Sequence, residues 1–197
     1  MSIASEIQRL QTAKEDIREA LDGIGISIPS SAKIDEYAQY INRYIYGRQE
    51  LTFNIISAGT IVWKTNNTAY TTTIEYSTDS GETWTSITSN TGASAPSISV
   101  NAGDVVQFRG DNATYAANTS RYNMFSGTTA KFEVEGNIMS LIDSQNFGTA
   151  TTLASGNTFY RLFSYCTGLT SAENLILPTT RLASNCYSYM FNNCSSL

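Results

Sequence analysis

The spacing of apolar residues changes near residue 50, and no single layer of structure accommodates both patterns. Before that point Ile3, Ile7, Leu10, Lys14, Ile17, Leu21 and Ile24 follow one another at alternating intervals of four and three. That is a heptad seam with one polar interruption, so it belongs on a helix. Over roughly 30 Å of helix such a seam can pair with copies of itself, and a core lysine then sets register and strand number at some cost in stability. The same face could instead hold a second helix of its own chain. Asp22-Gly23 supplies a stop. The second helix is expected after Pro29-Ser30-Ser31, running toward Tyr46 with Ile34, Tyr37, Ala38, Ile41, Tyr44 and Ile45 on a broad apolar face.

From Leu51 to about Glu135 the period becomes two. Strands are expected at Leu51–Ile56, Thr60–Lys64, Thr72–Ser77, Thr83–Thr88, Ser97–Val100, Val105–Gly110 and Ala130–Glu135, separated by clusters of Gly, Asn, Asp and Ser. Short strands at this spacing suggest an antiparallel sandwich. Phe132 and Val134 alternate with Lys131, Glu133 and Glu135, which gives one buried face and one wet face.

The last segment repeats itself. A shift of 28 residues aligns Asn157 with Asn185, Phe159 with Tyr187, Leu162 with Met190, Phe163 with Phe191, Cys166 with Cys194 and Leu169 with Leu197. Recurring Leu, Phe and Cys at this period imply a solenoid in which each unit buries its apolar edge against the next. The chain stops where a third unit would begin, so we expect the array to continue in a longer protein. Equivalent cysteines stack inward as small hydrophobes, and the odd count, with Cys186 between them, weakens a disulfide reading.

Composition narrows the chemistry. The 197 residues include no histidine, which removes Ser-His and Cys-His nucleophile pairs and imidazole metal ligands. Six of the twelve Lys/Arg and eight of the seventeen Asp/Glu lie in the first 50 residues, leaving a neutral Ser/Thr/Asn-rich body. The net charge of −5 disfavours nucleic acid. No apolar run reaches the roughly 18 residues of a membrane span, and Met1-Ser2-Ile3 leads into the helical pattern without a leader. Neither a membrane anchor nor a secretion signal is expected.

Single motifs carry little catalysis. Ser77, Asp79, Gly81 and Trp84 read S-x-D-x-G-x-T-W and resemble the Asp-box of sialidases and sortilin-like propellers, where the motif shapes a hairpin remote from the active site. Arg109-Gly110-Asp111 spells an integrin tripeptide but sits at a strand end, and Asp104 and Asp111 lack the loop spacing of a calcium site. Glu133 and Glu135 share one strand face and do not flank a cleft as glycosidase carboxylates do. Trp63, Tyr70, Tyr76, Trp84, Tyr115 and Tyr122 are core candidates; outward-facing members would form a sugar-binding surface. No catalytic residue, cofactor or metal site is expected.

Two segments resemble known families. SEIQRLQTAKEDIREALDGIGISIPSSAKIDEYAQYI, Ser5 to Ile41, resembles an N-terminal module of tail-fibre and appendage proteins from phages of gut Bacteroidales, including crAss-like phages. LPTTRLASNCYSYMFNNCSSL, Leu177 to Leu197, is similar to BspA-type leucine-rich repeats of bacterial adhesins and phage receptor-binding proteins. Together they cover about three tenths of the chain.

The expected architecture is multidomain α + β. Residues 1–47 form a helical hairpin or coiled-coil anchor, 51–136 an antiparallel β-sandwich, and 137–197 the start of a leucine-rich-repeat solenoid with Leu162, Phe163, Cys166, Leu169, Met190, Phe191, Cys194 and Leu197 in its core. The resemblance implies a head or tail fibre in the virion, made in the host cytoplasm. Its partners would be copies of itself (a homotrimer first, a homodimer second), capsid or tail proteins at the N-terminus, and bacterial surface glycan or protein beyond. A bacterial surface adhesin or a carbohydrate-binding module is the alternative, although the expected lack of a leader favours the phage.

Overall fold

The computed structural model describes residues 2–24, 26–38, 40–41 and 49–197. The chain is α + β, with an N-terminal helix and a β-rich body whose sheets are largely antiparallel. It divides into two compact units, Met1–Ile45 and Tyr46–Leu197, without the further boundary expected near residue 136.

In the first unit, helix α1 (Ile3–Gly23) begins where Ser2 Oγ accepts the Ser5 N–H at 3.1 Å, a side-chain cap for one of the unpaired donors of the first turn. Pairs Glu6–Arg9 and Glu15–Arg18 brace successive turns. The helix stops at the expected Gly23, and Ile24 lies just outside it. The described residues after Gly23 then fold back, burying Ile26, Ile28, Ala32 and Tyr37 against Leu21, Tyr40 and Ile41. The Tyr37 hydroxyl donates to Lys14 O at 3.3 Å.

The second helix begins differently from its expectation. A 3-10 turn, Ile34–Glu36, precedes helical residues at Tyr37, Ala38, Tyr40 and Ile41, and Ile34 is exposed rather than covered. Tyr44 and Ile45 lie outside the described residues. The returning segment reaches the α1 seam at Lys14 and Leu21 and leaves its other positions open. Leu21 is half-buried, whereas Ile3 (83% exposed), Ile7 (51%), Leu10 (57%), Ile17 (44%) and Ile24 (61%) stand uncovered in the single chain. Helix α1 therefore presents an open apolar face, and no coiled coil is seen among the described residues. No helix among the described residues is long and apolar enough to cross a membrane.

The described residues of the second unit hold ten strands: β1 (Leu51–Ser57), β2 (Gly59–Thr65), β3 (Thr73–Ser77), β4 (Thr85–Thr88), β5 (Ser97–Val100), β6 (Val105–Arg109), β7 (Ala116–Asn118), β8 (Arg121–Phe125), β9 (Lys131–Asn137) and β10 (Leu169–Ile176). They form a six-stranded sheet in the order β10-β9-β1-β6-β3-β4 and a four-stranded sheet in the order β5-β2-β8-β7. Every pairing is antiparallel except β9 with β10. Alternation works as expected on β9, where Phe132 and Val134 are buried while Lys131 and Glu133 are exposed.

The two sheets meet through aromatic rings. Phe53 of β1 lies 4.7 Å from Phe108 of β6, 4.2 Å from Phe132 of β9 and 4.9 Å from Phe125 of β8, centroid to centroid. Trp63 of β2 adds contacts to Phe125 and Tyr115. The repeat segment is continuous with this core: Phe159, Leu162, Phe163, Cys166, Leu169 and Met190 belong to the same buried cluster as the strands.

Candidate functional site

The hairpin between β3 and β4 has the internal bonding of a turn. Ser77 Oγ donates to Asp79 Oδ1 at 2.7 Å, and the Thr83 N–H and hydroxyl donate to Asp79 Oδ1 and Oδ2 at 2.9 and 2.5 Å. Trp84 Nε1 donates to Gly81 O at 3.0 Å, and its ring lies 4.0 Å beneath the Arg109 guanidinium. The Thr83 hydroxyl, followed by the Thr83 N–H and the Ser77 hydroxyl, holds the Asp79 carboxyl down at about 2 from an ordinary 3.8. A folded-state pKa below the unfolded one stabilises the fold above about pH 4, and that contribution is lost as pH falls through about 2. The gap in unfolding temperature between wild type and Asp79→Asn, measured by circular dichroism, is therefore expected to stay constant from about pH 5 to 8 and to close between about pH 4 and 2.

The other sequence candidates are held in structural contacts. Arg109 Nε donates to Glu75 at 2.7 Å, a β-carbon on Gly110 would lie 2.7 Å from the Tyr115 hydroxyl, and Asp111 accepts from the Ser144 N–H and hydroxyl. The tripeptide is thus folded into the body. Asp104 accepts from the Asn101 N–H, Glu135 accepts from Gln49, Glu133 is exposed on β9, and Glu82 is exposed in the hairpin. Among the sugar-surface candidates Trp63 and Tyr115 are fully buried, Tyr70 donates to Thr114 O, and Trp84, Tyr76 and Tyr122 are half-buried.

The repeats stack as two coils. The N–H groups of residues 157, 159, 161, 163 and 165 donate to the carbonyls of 184, 186, 188, 190 and 192 at 2.7–3.1 Å, so the coils are joined by a regular ladder. Within each coil the N–H of every second residue bonds three residues back, as in Tyr160 to Asn157 and Ser188 to Asn185. Rings stack across the ladder, Phe159 on Tyr187 and Phe163 on Phe191, each at 5.6 Å. Phe163 also stacks at 5.8 Å on Phe125, and the Phe125 N–H donates to Leu162 O, which places the first coil directly against β8.

Five of the eight expected repeat-core residues, Leu162, Phe163, Cys166, Leu169 and Met190, are buried in this core, and Phe191 and Cys194 pack half-buried against it. Leu169 is reached through the turn after Cys166 and opens β10, so it belongs to the large sheet as well. Leu197 corrects the expectation: it is 52% exposed, because the second coil has no further layer against it in this structure. Burial pushes the Cys166 thiol up to about 12, and Cys194 Sγ donates to Phe163 O at 3.0 Å, so both act as packing groups.

The outer side of the coils carries a cluster that the sequence did not single out. Every fourth residue takes the left-handed conformation: Asn157, Arg161 and Tyr165 in the first coil, and Asn185, Tyr189 and Asn193 in the second. The Arg161 guanidinium lies 4.9 Å from the Tyr189 ring centre and 5.5 Å from those of Tyr122 and Tyr160. Arg161 Nε donates to the Tyr160 hydroxyl at 3.1 Å, which raises the guanidinium pKa further. Tyr122 and Tyr189 each meet Tyr160 edge-on. The signal was present in the 28-residue alignment, which pairs Arg161 with Tyr189, but only Tyr122 was among the aromatic candidates.

In the first unit Ile7, Leu10, Gln11, Lys14, Lys33 and Ile34 line a shallow groove of ≈ 440 Å³. Five of the seven seam positions are exposed, and Lys14 and Leu21 are half-buried. The chain matches no protein-family model, and neither the curated proteins compared with it nor the solved structures give a match.

Proposed function

We propose that this chain is a structural protein of a phage virion, a head or tail fibre that is anchored through its N-terminal helix and adheres to the bacterial surface through its β-rich body. The observation that carries this reading is the open apolar seam of α1, with Ile3, Ile7, Leu10 and Ile17 uncovered in the single chain. An amphipathic helix leaves such a stripe in water only at a cost, and association with copies of itself removes it. A coiled-coil homotrimer is the first assembly proposed and a homodimer the second, with Lys14 setting the register. The partners are capsid or tail proteins at this end.

In the body, the coils joined to β8 are read as the opening units of a leucine-rich-repeat array. Repetition across copies lets weak contacts sum to useful adhesion. The resemblance of residues 5–41 to appendage modules supports the viral setting. The Tyr122–Tyr189 surface also suits a carbohydrate-binding module of a bacterial adhesin, which is the second reading. Deletion of residues 1–46 separates them: a fibre lacking that segment is expected to be absent from purified particles while its body still folds. Normal incorporation would refute the anchoring role.

A further inference from the structure

Arg109 and Arg161 are both set over aromatic rings, but they differ in one respect. Arg109 is paired with Glu75, whereas the ion pairs among the described residues leave Arg161 with no carboxylate. Its charge stands among Tyr122, Tyr160 and Tyr189, and Tyr189 and Tyr165 are 60% and 52% exposed. We infer that Tyr122, Tyr160, Arg161, Tyr165 and Tyr189 form a binding site for an acidic glycan, a pyranose chain bearing carboxylates. This deepens the adhesive reading above and rests on it.

The backbone supplies the second argument. The coil takes a left-handed residue at every fourth position, and asparagine, which tolerates that conformation, occupies three of the six. Arg161, Tyr165 and Tyr189 occupy the other three at φ 57–60°, where a bulky side chain is strained. The coil itself is served equally well by asparagine, and the Asn157 and Asn185 side chains even bond across it at 3.2 Å. The large side chains thus stand at these positions against local preference, with Tyr165 and Tyr189 exposed and Arg161 half-buried.

Their chemistry is complementary to an acidic sugar. Exposed phenol rings stack on the C–H faces of pyranoses, their hydroxyls bond sugar hydroxyls, and a guanidinium accepts a carboxylate through paired N–H donors. Tyr160 holds the guanidinium through Nε, a bond that does not use its terminal nitrogens. Nucleic acid would also stack on tyrosine, but a phosphate backbone is held by several basic side chains, whereas the single guanidinium among these rings matches one carboxylate.

The test uses the full chain and its variants Tyr189→Asn, Tyr165→Asn and Arg161→Gln on an array of uronate-bearing and sialylated polysaccharides. The same polysaccharides with methyl-esterified carboxylates are the neutral controls. Binding is expected to the carboxylated forms, falling about tenfold or more on esterification and in Arg161→Gln and Tyr189→Asn. A purely structural cluster would lose stability in Tyr189→Asn, whereas here its melting temperature is expected to hold or rise. No binding to any carboxylated glycan, or binding indifferent to both esterification and Tyr189→Asn, would overturn the site. Whole cells of gut Bacteroidales separate the two levels of the account. Equal cell binding by wild type and Tyr189→Asn removes the site and leaves adhesion standing; no cell binding by either, across strains, removes both.

Discussion

Phe53→Ala is expected to lower the unfolding free energy of the body by about 3–5 kcal/mol. Phe53 is completely buried in β1 and meets four rings: Phe108 at 4.7 Å, Phe125 at 4.9 Å, Phe132 at 4.2 Å and Phe163 at 6.1 Å. Those rings come from both sheets and from the first coil. Truncation removes the apolar transfer energy and leaves a cavity whose walls are themselves anchored, so collapse into it is limited. Urea unfolding followed by tryptophan fluorescence measures the loss, because Trp63 lies in the same core. A loss below about 1 kcal/mol would mean that the two sheets and the coil do not share one cooperative core.

Gly136→Ala is expected to be nearly as damaging, at about 3 kcal/mol or more. Gly136 has φ +81°, and a β-carbon there would lie 2.1 Å from Glu50 O and 3.0 Å from Glu50 C. Both contacts are backbone, which cannot swing aside. The close approach is where the chain enters the body: the Asn137 N–H donates to Gln49 O at 2.8 Å, and Glu50 bridges Asn137. Gly127 is the control, since its φ of +78° is similar but nothing lies within 4 Å of the added carbon. Gly127→Ala is expected to cost only about 1 kcal/mol. Equal melting temperatures for the two variants would show that the entry contact is not formed.

The sequence was informative where one physical pattern dominated a segment. The seven expected strands all occur within a few residues of their bounds, because the buried residues Phe53 and Ile55, Ile61 and Trp63, Val106 and Phe108, and Phe132 and Val134 recur at every second position. β7 and β8 were not legible. Asn123 is fully buried in β8, with its side chain bonded to Tyr115 O and Ser89 Oγ, so a polar residue occupies an inward position and breaks the alternation. β10 was missed because it pairs in parallel at a sheet edge with register shifts, leaving most of its residues half-buried.

The repeat was legible as a period but not as a shape. Its Phe, Leu and Cys positions revealed the stacking, whereas the left-handed residues four apart reveal themselves only through the backbone. Arg161, Tyr165 and Tyr189 are unusual choices for that conformation, so propensity pointed away from it. In the head, the heptad seam was evident, but Ile26, Ile28 and Ala32 were not expected to bury themselves against Leu21 before the second helix began.

Sedimentation of the full chain tests assembly through the open face of α1 directly. Wild type at high micromolar concentration is expected to sediment at three times the monomer mass. Ile7→Asp combined with Leu10→Asp is expected to sediment as a monomer with an unchanged β-sheet spectrum, because both residues are exposed in the single chain and lie outside the body unit. A monomeric wild type, or an oligomer that survives both substitutions, would contradict assembly through this seam.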